Sequence, residues 1–258
     1  MAHRIGIAGI TGRMGRLLAE EVPAAGAVLS GGIGRAGSTK PVPPGILAPP
    51  DLSALAALSD VVIDFTHAAT ARDTAAAMAA SGKAWVIGSS GLSAADEAAL
   101  EAAAKMIPIV YASNFSAGVN LVLALCERMG ATLPAADYDA EIMEMHHRQK
   151  VDAPSGTAIG MGRAVAKGRG QKLEDVIESG RHGHVGARKP GAIGFAALRG
   201  GQVVGEHTLI FASGTEHIAI THRAFDRRAF ASGAVRAALW VAGKQPGLYS
   251  MMDVLEMR

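Results

Sequence analysis

"RIGIAGITGRMGRLLAEEVPAAG", residues 4 to 26, starts as a short apolar run, breaks into glycines at a spacing of three, and continues with helix formers to a closing glycine. That order reads as strand, glycine turn and helix. Gly9, Gly12 and Gly15 stand between the first strand and the first helix. A turn of this kind lets the backbone come close to a pyrophosphate, whose charge meets the unpaired N–H groups of the helix start. The spacing is GxxGxxG rather than the commoner GxGxxG, and in a chain with 32 glycines such a turn can be mere punctuation. Its place at the head of a strand–helix rhythm points to a dinucleotide.

The rhythm continues downstream. A second strand is expected at 27–34, "AVLSGGIG", followed by "RAGSTKPVPPGILAPPD", rich in Pro and Gly, which is expected as a loop. "DVVIDF" at 60–65 is unbroken apolar up to its acids, as a parallel strand covered on both faces should be. A helix ended by Gly82, a strand "AWVIGSSG", a helix opened by a Ser93–Asp96 capping box and a strand "IPIVYASNF" follow. This alternation predicts an α/β fold with a Rossmann-like, doubly wound parallel sheet.

Past residue 116 the pattern changes to an α+β mixture. A long apolar helix, "GVNLVLALCERMG", leads to a strand, "YDAEIMEMHH", and then to a helix from about 157. Three strand-like runs, "AIGFAAL", "QVVGEHTLIF" and "EHIAITHRAF", are expected to form an antiparallel meander, and "RRAFASGAVRAALWVAG" returns to a helical pattern. Two domains are expected: a dinucleotide-binding domain over 1–116, completed by 227–258, and a second domain over 117–226.

Bulk composition narrows the function. A net charge of +2 with no basic run argues against a nucleic-acid partner. One cysteine, Cys126, excludes an internal disulfide and a Cys-based zinc cluster, and it lies at core spacing in an apolar helix. No signal-peptide pattern is present and no run approaches the ~18 apolar residues of a membrane span. The expectation is a cytoplasmic protein without a membrane partner.

The segment "EIMEMHHRQKVDAPSGTA", 141–158, collects titratable groups in a chain otherwise poor in charge. Alternation places Met143 and Met145 on one face of a strand and Glu144 on the other, and sends His146 and His147 in different directions. Two separate jobs suit that better than a shared metal, and neither HExxH nor a Cys-containing zinc pattern occurs, so no metal is expected. A solvated loop is the plain alternative. Against it stands "DAPSGTA", which delivers Ser155, Gly156 and Thr157 at a helix start, where N–H groups and hydroxyls bind carboxylates. Lys150 adds a cation that neighbouring positive charge can help to release a proton. His67 is expected to line the cofactor cleft without chemistry, His182 and His184 to sit in a Gly-rich loop, and His207 and His217 to be strand residues.

The chain resembles the 4-hydroxy-tetrahydrodipicolinate (dihydrodipicolinate) reductase family. The likeness rests on "GITGRMGR", "VIDFT", "VIGSSG", "ASNFSAGVN", the 141–158 segment, "GAIGFAALRGGQVVGEHT" and "FASGAVRAALW", in family order over nearly the whole chain. The resemblance implies NAD(P)H-dependent reduction of a small dicarboxylate in diaminopimelate and lysine biosynthesis. It implies a C-terminal domain that binds substrate and builds a homotetramer. His146 would be the proton donor and Lys150 a second one, while His147, Ser155, Gly156 and Thr157 would bind substrate. Cofactor contacts would fall to Gly9, Ile10, Thr11, Gly12, Arg13 and Met14, to Gly88, Ser89 and Ser90, and to Ala112, Ser113, Asn114 and Phe115.

Two features depart from many members. The loop after the second strand is short and Pro-rich, and Gly34 takes the place, ~20 residues past the fingerprint, where an acid would hold the adenosine ribose. Gly34 neither accepts from a 2′-OH nor repels a 2′-phosphate. Arg35 beside it and Arg13 offer guanidinium groups to such a phosphate. NADPH is therefore expected to be preferred, with NADH also accepted. Other classes fit less well: a semialdehyde dehydrogenase lacks its nucleophilic cysteine here, a Glu-Lys-Pro sugar oxidoreductase lacks its tripeptide, and a non-catalytic nucleotide sensor has no use for the 141–158 cluster.

Overall fold

A computed structural model describes residues 2–35 and 40–257. The part of the Pro-rich loop at 36–39 lies outside the described residues. In chain order the elements are β1 (Arg4–Ala8), α1 (Arg13–Ala24), β2 (Val28–Ile33), α2 (Leu52–Leu58), β3 (Val61–Asp64), α3 (Ala71–Ser81), β4 (Ala84–Ile87), α4 (Ala94–Ala104) and β5 (Pro108–Tyr111). Next come α5 (Ala117–Thr132), β6 (Asp139–His146), α6 (Gly156–Gly168), α7 (Leu173–Val176), β7 (Ile177–Ser179), β8 (Ile193–Arg199), β9 (Gly205–Ala212), β10 (His217–Ala224), α8 (Arg228–Val241), β11 (Gly247–Tyr249) and α9 (Met251–Val254). They divide into two compact units, 1–117 with 227–258, and 118–226.

The first unit is built on a six-stranded sheet of order β11-β5-β4-β3-β1-β2. Every pairing in it is parallel. Alternation splits the central strands between two cores. Ile5, Ile7, Val61, Ile63 and Val86 pack against Leu18 and Val22 of α1 and the alanine-rich face of α8. Val62, Trp85, Ile87 and Ile109 pack against Leu55, Met78 and Leu100 on the other side. Both faces are covered, so β3 and β4 are buried at every position, which is why their sequences read as unbroken apolar runs.

The punctuation read from the sequence is present. Gly82 closes α3 in the left-handed region at φ 65°, and Ser93 with Asp96 forms a reciprocal capping box on α4. Three elements of this unit, α2, β11 and α9, go beyond the sequence reading. Asp51 caps the short helix α2, accepting from Ala54 N at 2.8 Å. The C-terminal segment adds the three-residue strand β11 to the sheet as well as the helix α8.

The second unit holds a mixed sheet of order β10-β9-β6-β8-β7. The three runs do not form the expected antiparallel meander. β9 and β10 do form an antiparallel hairpin, but β8 does not pair with β9. β6 lies between them, parallel to β8 and antiparallel to β9. The "RGG" stretch is the end of β8 and the start of a link at 200–204 that steps over the end of β6, a span of about 10 Å at the usual strand spacing. Its backbone bonds to β6 as it passes: Gly200 N donates to His146 O at 2.9 Å and His147 N to Val203 O at 2.8 Å. Placing β6 in the centre satisfies its backbone polar groups on both edges. Its inner face, Ala140 and Ile142, packs with Cys126 of α5 and Met161 and Val165 of α6, and burial pushes the Cys126 thiol up to about 12. On the outer face Met143 and Leu198 are exposed.

Helix α8 approaches the backbone of Phe115 so closely that a Cβ built on Gly233 would run into the Phe115 carbonyl. Gly233→Ala must therefore shift the helix, at about 1–3 kcal/mol. A thermal melt should show the transition lowered by several degrees; an unchanged melt would mean that α8 does not pack on that segment.

Candidate active site

In the first unit the glycine turn forms a cradle. Gly9 takes φ 85°, open to glycine at no cost, and a Cβ there would lie 2.9 Å from the Phe65 carbonyl oxygen. A Cβ on Gly15 would collide with the Gly9 carbonyl and with Ile10, so α1 can pack against the turn only without one. The N-cap of α1 is Gly12, and among the described residues no side chain caps the helix. Its first-turn N–H groups thus face the turn without a side-chain acceptor.

A cavity of about 310 Å³ opens over this turn, lined by Gly9, Thr11, Gly12, Arg13, Arg35, Lys40, Phe65 and Thr66. Beyond β4, Gly88 packs beneath the Phe65 ring, and the buried hydroxyl of Ser89 has no hydrogen-bond partner among the described residues. A bare helix start, three cations on one cavity and an orphaned hydroxyl fit a dinucleotide. Ile10 and Phe115 are buried, the latter tilted against Phe65 with ring centroids 5.6 Å apart, so neither offers its side chain to a ligand. Asn114 turns its side chain back to Ser116 N at 2.9 Å, while Ser90 and Ser113 are exposed. Gly34 directly precedes Arg35 on the way out of β2, as the sequence order requires.

The second unit gathers a tighter cluster. Glu144 and His146 share the buried face of β6, and Glu144 is only 1% exposed. Its carboxylate accepts from Arg199 twice, at 2.9 Å to each oxygen, and from the Ser155 N–H at 3.1 Å. His146 Nδ1 lies 2.6 Å from Glu144 Oε2. Ser155 caps α6, accepting from Ala158 N at 3.2 Å, and its Oγ meets His207 Nε2 at 3.0 Å. The His207 ring stands edge-on to His146, centroids 5.0 Å apart.

Above the α6 start the space is open: a Cβ on Gly156 would meet nothing within 4 Å. Thr157 follows it in the first turn of α6. Lys150 reaches Asp152 at 2.9 Å, and His147 has a buried Nδ1 without a hydrogen-bond partner among the described residues.

Burial tunes this cluster. It would raise the Glu144 carboxyl, but the Arg199 fork and His146 outweigh it and hold Glu144 below the usual carboxylate range. It pushes His146 below the usual histidine range despite the opposing pull of Glu144. His207, buried and beside His146, is pushed down to about 4.

The sequence pattern places His146, Ser155, Gly156 and Thr157 together at a strand end and a helix start, and so does the structure. It does not reveal Glu144 or Arg199 as members of the site, and it marks His207 only as a strand residue. An acid on the buried face of a strand, two residues before a histidine, is the available signal for the first. His67 caps a turn of 3₁₀ helix, accepting from Ala69 N at 3.2 Å, and His182 and His184 lie exposed. Among the described residues no group of three His, Cys, Asp or Glu side chains is placed to hold a metal.

A parallel sheet with a glycine-turn cradle and a histidine–carboxylate cluster at a second helix start define a class, the two-unit dinucleotide-dependent oxidoreductases. The family model for the N-terminus of dihydrodipicolinate reductase matches residues 3–115, and that for its C-terminus matches 118–255. A 4-hydroxy-tetrahydrodipicolinate reductase of Granulibacter bethesdensis is 69% identical, over 99% of this chain and 97% of that one. One of Acidiphilium cryptum is 61% identical, over 98% and 97%. A dipicolinate-bound dihydrodipicolinate reductase from a Paenisporosarcina species has the same fold, with a TM-score of 0.80 over the whole of both chains at 21% identity. The chain belongs to the dihydrodipicolinate reductase family.

The pH dependence of stability follows from His207. Its folded value, about 4, lies below its unfolded one near 6.5, so the unfolded chain binds the extra proton in that window. Stability should be constant above pH 6.5 and decline as pH falls toward 4, by roughly 3 kcal/mol from this group. His207→Gln should flatten that decline in denaturant midpoints measured from pH 7 to 4. A slope unchanged by the substitution would show that His207 titrates normally.

Proposed function

We propose that the chain reduces 4-hydroxy-tetrahydrodipicolinate to tetrahydrodipicolinate with NAD(P)H, in diaminopimelate and lysine biosynthesis. The single observation that carries the site assignment is the joining of His146 to the start of α6 through one buried carboxylate, Glu144. Loss of the 4-hydroxyl as water gives a conjugated imine; hydride addition to it leaves negative charge on the carbon away from attack, so an acid must stand near that carbon to protonate it. In this reading His146 gives that proton and Lys150 serves as a second donor. His147, Gly156 and Thr157 hold a substrate carboxylate, and Ser155 contributes by fixing the helix start as its cap.

The first unit takes the dinucleotide, which supplies the hydride when bound. The turn residues 9–14, Gly88 to Ser90 and Ala112 to Phe115 would hold it. Arg13, Arg35 and Lys40 on the cavity by the glycine turn support a preference for NADPH, with NADH as a second cofactor. The second unit would bind substrate and join four copies through the outer face of its sheet, where Met143 and Leu198 are exposed. Among the described residues no helix is long and apolar enough to cross a membrane, in keeping with a cytoplasmic enzyme.

An NAD(P)H oxidation assay with freshly made substrate tests the activity itself. His146→Gln and Lys150→Ala should each lose about 10²–10⁴ in kcat while still binding NADPH. Near wild-type turnover in either variant would remove that residue from its role.

The cofactor preference is tested by kcat/KM for NADPH and NADH in wild type and Arg35→Ala. One charge-assisted contact of about 1.5–3 kcal/mol favours NADPH by about one to two decades, and added salt should reduce the ratio. A wild-type preference for NADH, or a ratio that Arg35→Ala leaves alone, would refute the argument from Gly34 and Arg35.

A further inference from the structure

Within the second unit the groups facing His146 are few. Glu144 comes from its own strand, Lys150 with its partner Asp152 from the loop that follows, Arg199 from β8 and His207 from β9. His222 of β10 stands behind His207 in register. Among the described residues it is Glu144 that hydrogen-bonds the His146 ring, at Nδ1. A carboxylate can only accept, so Nδ1 must carry a hydrogen and Nε2 is left with the lone pair in the neutral ring.

The Glu144 carboxylate has little freedom to turn, because Arg199 grips both oxygens and Ser155 N–H holds one of them. On the far side of the ring, a Cβ on Gly205 would come within 3.0 Å of Nε2, so the missing side chain keeps that nitrogen uncrowded. Glu144 is thus closed off from bulk water, yet determines which ring nitrogen is available.

We propose that Glu144 is a positioning residue. Gripped by Arg199 and the Ser155 amide, it fixes the His146 ring with hydrogen on Nδ1, so that Nε2 is the nitrogen that takes up and releases the proton. This rests on the reading of His146 as the proton donor. Arg199 plays the matching part, compensating the buried carboxylate and keeping Glu144 from drawing His146 into a permanent ion pair.

A residue that only fills the core and one that positions the ring predict different spectra. Full-length protein labelled with ¹⁵N-histidine reports the tautomer and titration of each ring, and the His146 signals are those missing in His146→Gln. Neutral His146 should carry its hydrogen on Nδ1. Glu144→Gln removes a negative charge in contact with the ring, so the His146 midpoint should fall by about one pH unit or more. Arg199→Met removes a positive charge and leaves Glu144 to His146 and the Ser155 amide, so the midpoint should rise. In turnover, Glu144→Gln should lower kcat about tenfold or more with little change in substrate KM.

Opposite shifts in the two variants support the positioning role. Shifts of the same sign, no shift, or an Nε2–H ring in the wild type overturn it. If Glu144→Gln gives no cooperative melt, the wild-type tautomer and Arg199→Met decide the matter. The spectra need no turnover, so a chain inactive with this substrate would sink the proposed function and leave this test standing.

Discussion

A carboxylate taken out of water in the middle of a sheet sets the terms for the second unit. Glu144 is almost fully buried, and an unpaired charge there would be penalised by several kcal/mol. Compensation must come from groups with fixed geometry. Arg199 supplies a fork from the end of β8, which requires β8 to run parallel beside β6 with Arg199 opposite His146. Ser155 supplies an N–H, which requires the chain to return from the end of β6 and begin α6 beside it. The central place of β6, the crossing link at 200–204 and the position of α6 are therefore conditions for burying one acid. The catalytic candidate His146 bonds the same carboxylate, which is why site and fold cannot be separated here.

The two units meet negative charge in related ways and with different finish. Each places a helix start just beyond a strand end. In α1 the cap is Gly12, no described side chain satisfies the first turn, and cations line the cavity beside it. That arrangement suits a ligand with several phosphates, which brings its own acceptors and high charge. In α6 the cap is Ser155, already engaged with Ala158 and His207, and the open space at the turn lies above Gly156. A smaller acceptor such as a single carboxylate suits that opening better than a diphosphate.

How much of this was legible depended on the range of the interaction. Strand–helix alternation, the glycine turn, the Gly82 stop and the Ser93–Asp96 box are local, and each was readable from a few neighbouring residues. The segment 141–158 was readable for the same reason, since strand end, histidines and helix start follow one another without a break. Strand partners are not local. Alternation marked β8, β9 and β10 as strands but carried no information on which edge each would take, and "RGG" looked like a hairpin turn when it was part of a step over β6. Nothing local marks Arg199, whose partner is 55 positions away, or the site role of His207, whose contact with Ser155 spans 52. The strand β11 has three residues, too few for any period to show.

The electrostatics of the cluster follow from burial rather than from an excess of charge. Near neutral pH Glu144 is matched by Arg199, and His207 is neutral with its value near 4. His146 is drawn the same way by burial, so the group as a whole carries little net charge. If the site takes an anion as proposed, its affinity would come chiefly from the oriented N–H groups of α6, which do not titrate. Under the proposed function this gives the arriving dicarboxylate a second effect. Negative charge close to a histidine favours its protonated form. A ring held neutral by burial in the empty site would be drawn toward protonation as the anion settles, with Glu144 already holding the Nδ1 hydrogen and Nε2 left to receive the proton. The proton donor would be charged mainly when there is something to protonate, which a surface histidine of ordinary pKa could not arrange.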